Sequence, residues 1–203
     1  MRIFHFLYFS VLFLSTTLQA QTDLGSFESV LSIDNNTITL ATTQATIKVE
    51  FITKSTVRIR AAWDGKFEEN EPWMVIKYDW PEVLFTKTET DADLSYATNE
   101  ILVKLTKNPF SIAILDKKGD TLITGQQNSP IGVGFVTNDT IGAQFKLDAN
   151  EHFFGFGERM DFLDRRGKKV RLNVGRGQGL PHVIGAYNPL EANYSPVPFF
   201  YEY

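Results

Sequence analysis

Residues 45–51 read Ala-Thr-Ile-Lys-Val-Glu-Phe, and this stretch decides the fold class of the chain. Its apolar side chains Ile47, Val49 and Phe51 alternate with polar ones. Successive side chains of an extended strand point to opposite faces, so a period of two predicts a half-buried β-strand. Thr56–Ala61 repeats the pattern a few residues later, with two arginines at the alternate positions. A pair of neighbouring antiparallel strands is therefore expected at this point.

Working outward, short segments of strand character fill most of the chain. Turn-forming residues separate them, as in Asp116–Asp120, where Gly119 suits a left-handed turn position. No stretch of helical length shows a 3.6-residue period. Many short strands with regular turns predict an all-β, antiparallel sandwich. The further predicted strands are Trp73–Tyr78, Val83–Thr90, Asp93–Thr98, Glu100–Thr106, Phe110–Leu115, Thr121–Thr124, Ile131–Thr137 and Thr140–Leu147.

Composition excludes several classes of function. The 203 residues are 43% hydrophobic, which is enough for a packed core and argues against global disorder. The net charge of −4 argues against a nucleic-acid partner, which normally meets a basic face. The absence of cysteine rules out disulfides, thiolate catalysis and Cys-ligated zinc. We expect no metal and no cofactor.

The first twenty residues have the character of a secretory signal peptide. A short positive start, Met1-Arg2, precedes a nearly continuous apolar run, Ile3–Leu14, and then small and polar residues up to Ala20. A membrane anchor is the alternative, but the apolar run is shorter than the roughly 20 residues that a spanning helix needs. Residues 1–20 are therefore predicted to be removed. The mature chain, residues 21–203, would be secreted or periplasmic, with no membrane attachment.

The composition changes near Glu151, after which glycine and proline become frequent. Three acids, Glu158, Asp161 and Asp164, follow at a spacing of three, which on a helix would place them on one face as an acid pair or metal site. The flanking glycines make a helix doubtful, and a structural charge network is the favoured interpretation. We expect Glu158 to be paired there with the basic residues of the same stretch, Arg159, Arg165 and Arg166.

Two features of the chain suit contact with a sugar, and each has a plainer explanation. Gly175–Gly179 resembles a phosphate-binding loop, but no helix pattern follows it, which leaves either a loop without ligand or a sugar-facing loop. The aromatic residues Trp63, Trp73, Tyr78 and Trp80 suit a stacking strip, although aromatic residues of sandwiches more often lie in the core.

The aromatic run Phe199-Phe200-Tyr201 predicts a further strand. A natural terminus is usually polar and frayed, so the chain looks cut in mid-strand. An exposed apolar strand invites association. We therefore expect the isolated mature chain to self-associate.

An ordered series of three motifs resembles the N-terminal domain of family 31 glycoside hydrolases, the α-glucosidase and α-xylosidase family. Residues 153–158 read Phe-Phe-Gly-Phe-Gly-Glu, residues 163–167 read Leu-Asp-Arg-Arg-Gly, and residues 194–200 read Tyr-Ser-Pro-Val-Pro-Phe-Phe. Upstream, Thr56–Arg60 followed by Trp63 resembles an early strand pair of that family. The resemblance assigns a structural role to six motif residues, Gly155, Gly157, Glu158, Asp164, Arg166 and Gly167.

This resemblance implies a galactose-mutarotase-like β-sandwich over residues 21–203, placed ahead of a (β/α)8 barrel. In the family, the nucleophile and the general acid lie on the barrel, which takes about 250 residues and is absent here. The chain would then carry no catalytic residue and be inactive alone. Its partners would be the missing barrel of the same polypeptide and an α-glycoside, in a retaining hydrolysis. The alternative is a stand-alone secreted sugar-binding or adhesive sandwich.

The loop at about residues 172–195 corresponds to one that reaches over the active-site mouth in the family. Many members have Trp-Asn-x-Asp where this chain has Leu172-Asn173-Val174-Gly175, so their aspartate contact to the sugar is missing. The glycine-rich insertion that follows looks more like the sulfoquinovosidase-type branch. The candidate substrate contacts are Asn173, Arg176 and Gln178. Arg176 would suit an anionic or highly hydroxylated partner through charge-assisted hydrogen bonds.

Overall fold

Every regular element is a β-strand in the part of the chain that the structure describes. The computed structural model describes residues 22–67, 79–125, 135–137, 140–159, 162–172, 175–176 and 192–202. Two compact units divide the chain, the first ending at Lys146 and the second beginning at Leu147. Within the described residues no helix is long and apolar enough to cross a membrane.

The first unit contains two main antiparallel sheets. The four-stranded sheet has the order β1-β2-β3-β4, and the five-stranded sheet has the order β5-β6-β7-β8-β9. A small pair, β10 and β11, accompanies them. The strands are β1 (Phe27–Asp34), β2 (Thr37–Thr42), β3 (Thr46–Thr53), β4 (Thr56–Ala62), β5 (Thr86–Glu89), β6 (Asp93–Ala97), β7 (Ile101–Lys107), β8 (Phe110–Asp116), β9 (Thr121–Thr124), β10 (Phe135–Thr137) and β11 (Thr140–Gly142).

The second unit contains one three-stranded antiparallel sheet. Its strands are β12 (Phe153–Arg159), β13 (Gly175–Arg176) and β14 (Ala192–Glu202), in the order β12-β14-β13. The long strand β14 pairs with β12 through most of its length but with β13 only at Ala192 and Asn193. The predicted strand at residues 199–201 is confirmed as part of β14.

The core of the first unit lies between its two main sheets and follows the alternation in the sequence. Ile47, Val49 and Phe51 of β3 are fully buried, and so are Tyr96 and Val103 from the five-stranded sheet. Burial of one such side chain contributes about 1.5–3 kcal/mol relative to exposure. The predicted strand pair at residues 45–61 and the two-layered, all-β architecture of this unit are therefore confirmed.

A buried amide ties the two sheets together. Asn36, in the turn between β1 and β2, donates from Nδ2 to the carbonyl of Pro81 and accepts the N–H of Val83 at Oδ1, both at 2.8 Å. These bonds fix the segment that leads into β5. Phe85 on this segment stacks on Phe51 at 5.1 Å and meets Tyr96 edge-on at 5.7 Å.

Three predicted strands differ from the structure at their ends or cannot be compared. β5 begins at Thr86 rather than at residue 83, because the Val83 N–H is bonded to the Asn36 side chain and not to a strand. β11 ends at Gly142, and Phe145 beyond it forms only an isolated bridge with Gly125. The strand predicted at 73–78 lies outside the described residues. Gly119 has the expected left-handed conformation, with φ +92°.

Candidate functional site

A cavity of the first unit is lined by apolar side chains. It has a volume of about 340 Å³ and lies between the sheets, against Val57, Ile59, Ile114 and Trp63. A sugar is recognised through hydrogen bonds from convergent polar groups, and the side chains of this lining do not provide such a set. The indole N–H of Trp63 is already bonded to the carbonyl of Asp23 at 2.9 Å. Trp63 therefore belongs to the core, as the plainer sequence interpretation has it.

The second unit contains an unusual backbone segment within β12. Gly155, Phe156 and Gly157 all have positive φ, at 117°, 67° and 86°. The pairing partner of β12 moves from Phe200 at Gly155 to Pro196 at Gly157, so β14 carries the extra residues of a bulge. β12 is therefore an irregular strand at this point.

Gly155 is required at this bulge for a second reason. A Cβ atom at this position would lie 2.8 Å from the carbonyl oxygen of Phe199 and 3.0 Å from the Cα of Phe200. The backbones of β12 and β14 thus approach too closely at this position for any residue that carries a Cβ atom. This explains in physical terms why the aromatic-Gly-x-Gly-Glu motif needs its first glycine.

Aromatic rings line both faces of the pair formed by β12 and β14, which we call the aromatic ribbon. On one face Phe154 stacks on Tyr201, with ring centroids 5.5 Å apart. On the other face Phe200 lies 5.1 Å from Phe156 and 5.7 Å from Phe153. Such ring pairs stabilise by about 0.5–1.5 kcal/mol beyond the area they bury.

Asp164 is the centre of a hydrogen-bond network beside the ribbon. Its Oδ2 lies 2.7 Å from Nδ1 of His152, and its Oδ1 accepts the N–H of Arg166 at 2.9 Å and that of Phe153 at 3.4 Å. These bonds, the one from the Arg166 N–H foremost, lower the pKa of Asp164 from 3.8 to about 2. Asp164 is therefore ionised at neutral pH.

The arginines that follow Asp164 join two chain segments. The guanidinium of Arg166 donates from Nη1 to the carbonyl of Glu151 and from Nη2 to that of Asp148, the latter at 2.8 Å. The backbone N–H of Arg165 bonds the Phe153 carbonyl at 2.8 Å, and the Arg165 side chain is buried. These hydrogen bonds fasten residues 148–153 to residues 164–166.

Asp164, and not Glu158, is the acid whose contacts the structure describes in detail here. Glu158 is exposed on β12, with its backbone opposite Ser195 of β14. The expected pairing of Glu158 with Arg159, Arg165 and Arg166 stays a prediction. Asp161 lies outside the described residues. Within the described part of the chain no three acidic or histidine side chains are grouped as a metal site would require.

A carboxyl pair, Glu151 and Glu202, joins the ends of the ribbon. Burial first, and then a hydrogen bond and repulsion from Glu151, raise the pKa of Glu202. The Glu151 carboxylate also accepts the N–H of Asp148 at 2.7 Å. Sequence reasoning missed this pair, because only the register of β12 against β14 brings the two residues together.

The candidate substrate loop is described only in part. The backbone of Arg176 lies in β13, opposite Ala192. Asn173 and Gln178 lie outside the described residues. Gly167, which follows Arg165 and Arg166, has φ +69°. A Cβ atom there would meet nothing within 4 Å, so glycine is required for its backbone conformation alone. The roles of Asn173, Arg176 and Gln178 stay predictions.

Comparison with known proteins gives a consistent result. The family model described as the glycosyl hydrolase 31 N-terminal galactose mutarotase-like domain matches residues 46–203. An isomaltosyltransferase of Sporosarcina globispora is 29% identical over 123 residues, which are 57% of this chain and 10% of that protein. Alpha-glucosidase 2 of Bacillus thermoamyloliquefaciens is 28% identical over 127 residues, 62% of this chain and 16% of the relative.

A solved structure matches over most of the chain. A GH31 dextranase of Flavobacterium johnsoniae, complexed with isomaltotriose, superposes with a TM-score of 0.75 and 25% identity. The match covers 89% of this chain and 21% of the dextranase. The chain therefore spans between about a tenth and a fifth of the length of these relatives. Its fold is galactose-mutarotase-like.

Proposed function

The chain belongs to glycosyl hydrolase family 31, as its N-terminal galactose mutarotase-like domain, and from this premise we propose that it is the non-catalytic domain of a secreted enzyme that hydrolyses α-glycosidic bonds. The observation that carries the proposal is the match of residues 46–203 to a domain that makes up only a small part of its relatives. The reaction would take place on a catalytic domain of the same polypeptide.

The chemistry of the described acids supports a non-catalytic role. Glycoside hydrolysis needs a protonated acid and a second carboxylate, about 5–10 Å apart with the sugar between them. Asp164 is ionised at neutral pH and engaged on both oxygens, so it has no proton to donate. Glu202 does keep its proton to a higher pH, but its partner Glu151 is in hydrogen-bond contact with it. A sugar cannot enter between two carboxyl groups in contact.

We take an α-glucoside as the substrate class of the complete enzyme. One relative is named an alpha-glucosidase, and the dextranase was solved with isomaltotriose. The domain would contribute the loop of residues 172–195, with Arg176 as its charged hydrogen-bond donor. Since many family members have an aspartate where this chain has Gly175, recognition of the sugar would depend here on a cation and not on an anion.

Secretion is the remaining part of the proposal and rests on residues 1–20. Expression of the whole gene in a secreting host, followed by mass determination of the exported product, tests it. We expect an N-terminus at Gln21. A product in the membrane fraction that keeps residues 1–20 would contradict the proposal and support an anchor.

The direct test of the domain assignment is to sequence the gene beyond the codon of Tyr203. A reading frame that continues into a catalytic domain is the expected result. A stop codon at that point would contradict it and favour a stand-alone binding module. A stand-alone binding module should then bind isomaltotriose with a Kd well below about 1 mM, as measured by titration calorimetry. A Kd of 1 mM corresponds to a binding free energy of about −4 kcal/mol.

The role of the loop is tested in the complete enzyme by Arg176→Ala. A donor that binds the glycoside in its ground state should raise KM more than it lowers kcat. Lys169→Ala is the matched control, because it removes an exposed cation from the same unit outside the loop. Equal effects of the two variants on KM would contradict the assignment of Arg176.

A further inference from the structure

The aromatic ribbon exposes more large apolar side chains than a free surface usually carries. Phe199 is 66% exposed, Tyr201 58% and Phe200 47%. These exposed rings belong to both faces of the ribbon, since Tyr201 stacks on Phe154 and Phe200 packs against Phe156 and Phe153. Exposed rings that are contiguous in this way mark surfaces that another protein surface covers.

The charge pattern of β14 points to the same role. Residues 192–201 read Ala-Asn-Tyr-Ser-Pro-Val-Pro-Phe-Phe-Tyr and contain no charged side chain, although 22% of the chain is charged. The centres of protein interfaces are depleted in charged residues and enriched in phenylalanine and tyrosine. An ordinary edge strand, by contrast, is protected by charges, above all by lysine.

Within the described residues, one edge of β14 is largely unpaired. Its other edge pairs with β12 from Asn193 to Glu202, whereas β13 covers only Ala192 and Asn193. Among the described residues, the side of β14 that faces β13 therefore has no further strand beyond Asn193. An uncovered strand edge offers backbone donors and acceptors in addition to the exposed rings.

From these observations we infer that the aromatic ribbon, centred on Phe199, Phe200 and Tyr201, is the surface against which the catalytic domain of the same polypeptide packs. This rests on the proposed function. A second copy of the chain is the other candidate, but pairing of two β14 edges would cover the edge and leave rings on both faces exposed. A neighbouring domain of the same polypeptide fits better, because most of the length of the relatives lies outside this chain.

Hydrogen exchange on two proteins tests the inference, the mature chain alone and the product of the complete reading frame. We expect the amides of Phe199, Phe200 and Tyr201 to exchange at least about tenfold more slowly in the complete product. The amides of Val103 and Leu105, which lie in the buried strand β7, serve as the internal control and should be equally protected in both. Equal exchange of β14 in the two proteins would overturn the inference.

A matched pair of variants distinguishes a specific interface from nonspecific hydrophobic association. Phe199→Ser and Leu84→Ser each remove a large exposed apolar side chain, the first from the ribbon and the second from the other unit, where Leu84 is 82% exposed. In the complete product, Phe199→Ser should restore fast exchange of β14, and Leu84→Ser should not. Protection of β7 in both variants shows that the first unit is folded, and protection of the Arg165 amide, which bonds the Phe153 carbonyl, shows the same for the second. Slow exchange of β14 in Phe199→Ser would contradict the inference.

The outcomes for the two proposals are distinct. A stop codon after Tyr203 would remove the partner and overturn both. A continuing reading frame with unprotected β14 amides would overturn the interface alone and leave the domain assignment intact. In that case sedimentation of the chain would show whether a second copy covers the ribbon instead.

Discussion

The two units of this chain are stabilised by different means. The first unit buries a continuous set of side chains between two sheets, among them Ile47, Phe51 and Tyr96 at full burial. In the second unit no described apolar side chain is buried, and the buried residue there is Arg165. Ring stacking, a bulge and a carboxylate network hold this unit. The difference indicates that the first unit has a hydrophobic core of its own, whereas the described part of the second relies on ring stacking and hydrogen bonds.

The largest effect expected from this comparison is in the core. Phe51→Ala removes a fully buried ring that stacks on Phe85, and this should lower the free energy of unfolding by about 3–5 kcal/mol. Phe199→Ala removes a ring of the same size that is 66% exposed, so the change should stay within about 0.5 kcal/mol. Urea unfolding of both variants checks this. A similar loss for both would show that the ribbon is part of the same core.

A second pair of variants separates close packing from conformational strain. Gly155→Ala should cost about 1–3 kcal/mol, because the residue has φ +117° and its Cβ would lie 2.8 Å from the Phe199 carbonyl. Gly119→Ala has a similar φ of +92° but meets nothing within 4 Å, so only the strain of about 1 kcal/mol remains. Thermal unfolding compares the two. If Gly119→Ala costs as much, the close approach of the strands is not what requires Gly155.

A smaller effect is expected in the carboxylate network. Asp164→Asn should lower the urea midpoint, because the amide cannot accept the bonds from His152 and Arg166 equally well. Glu158→Gln should lower the midpoint less, since Glu158 is exposed. A lowered midpoint for Glu158→Gln alone would show that Glu158, and not Asp164, is the acid that stabilises this segment.

The smallest effect is a dependence of stability on pH in the acid range. The folded-state pKa of Asp164 is lowered to about 2 from 3.8, so its contribution is present above about pH 4 and is lost as the pH falls towards 2. Asp164→Asn should flatten that part of the stability profile relative to the parent chain. Parallel profiles for the two proteins between pH 2 and pH 4 would contradict the lowered pKa.

Sequence reasoning succeeded where a local pattern determines structure. The alternation in residues 45–51 predicted β3 and its core residues, and the hairpin glycine Gly119 was placed correctly. It failed where long-range register decides. The proximity of Glu151 and Glu202 depends on how β12 meets β14 across a bulge. No spacing along the chain reports that geometry, and only the family resemblance pointed to the segment.

One assay tests most directly whether this chain is non-catalytic. The purified mature chain is incubated with aryl α-glucoside, α-xyloside and sulfoquinovoside, and release of the aryl alcohol is measured. The absence of any turnover is predicted, because the chain matches an N-terminal domain that makes up only a small part of its relatives, and because Asp164 is ionised at neutral pH. Turnover by the chain that disappears in Glu158→Gln or Asp164→Asn would contradict the assignment of a non-catalytic domain.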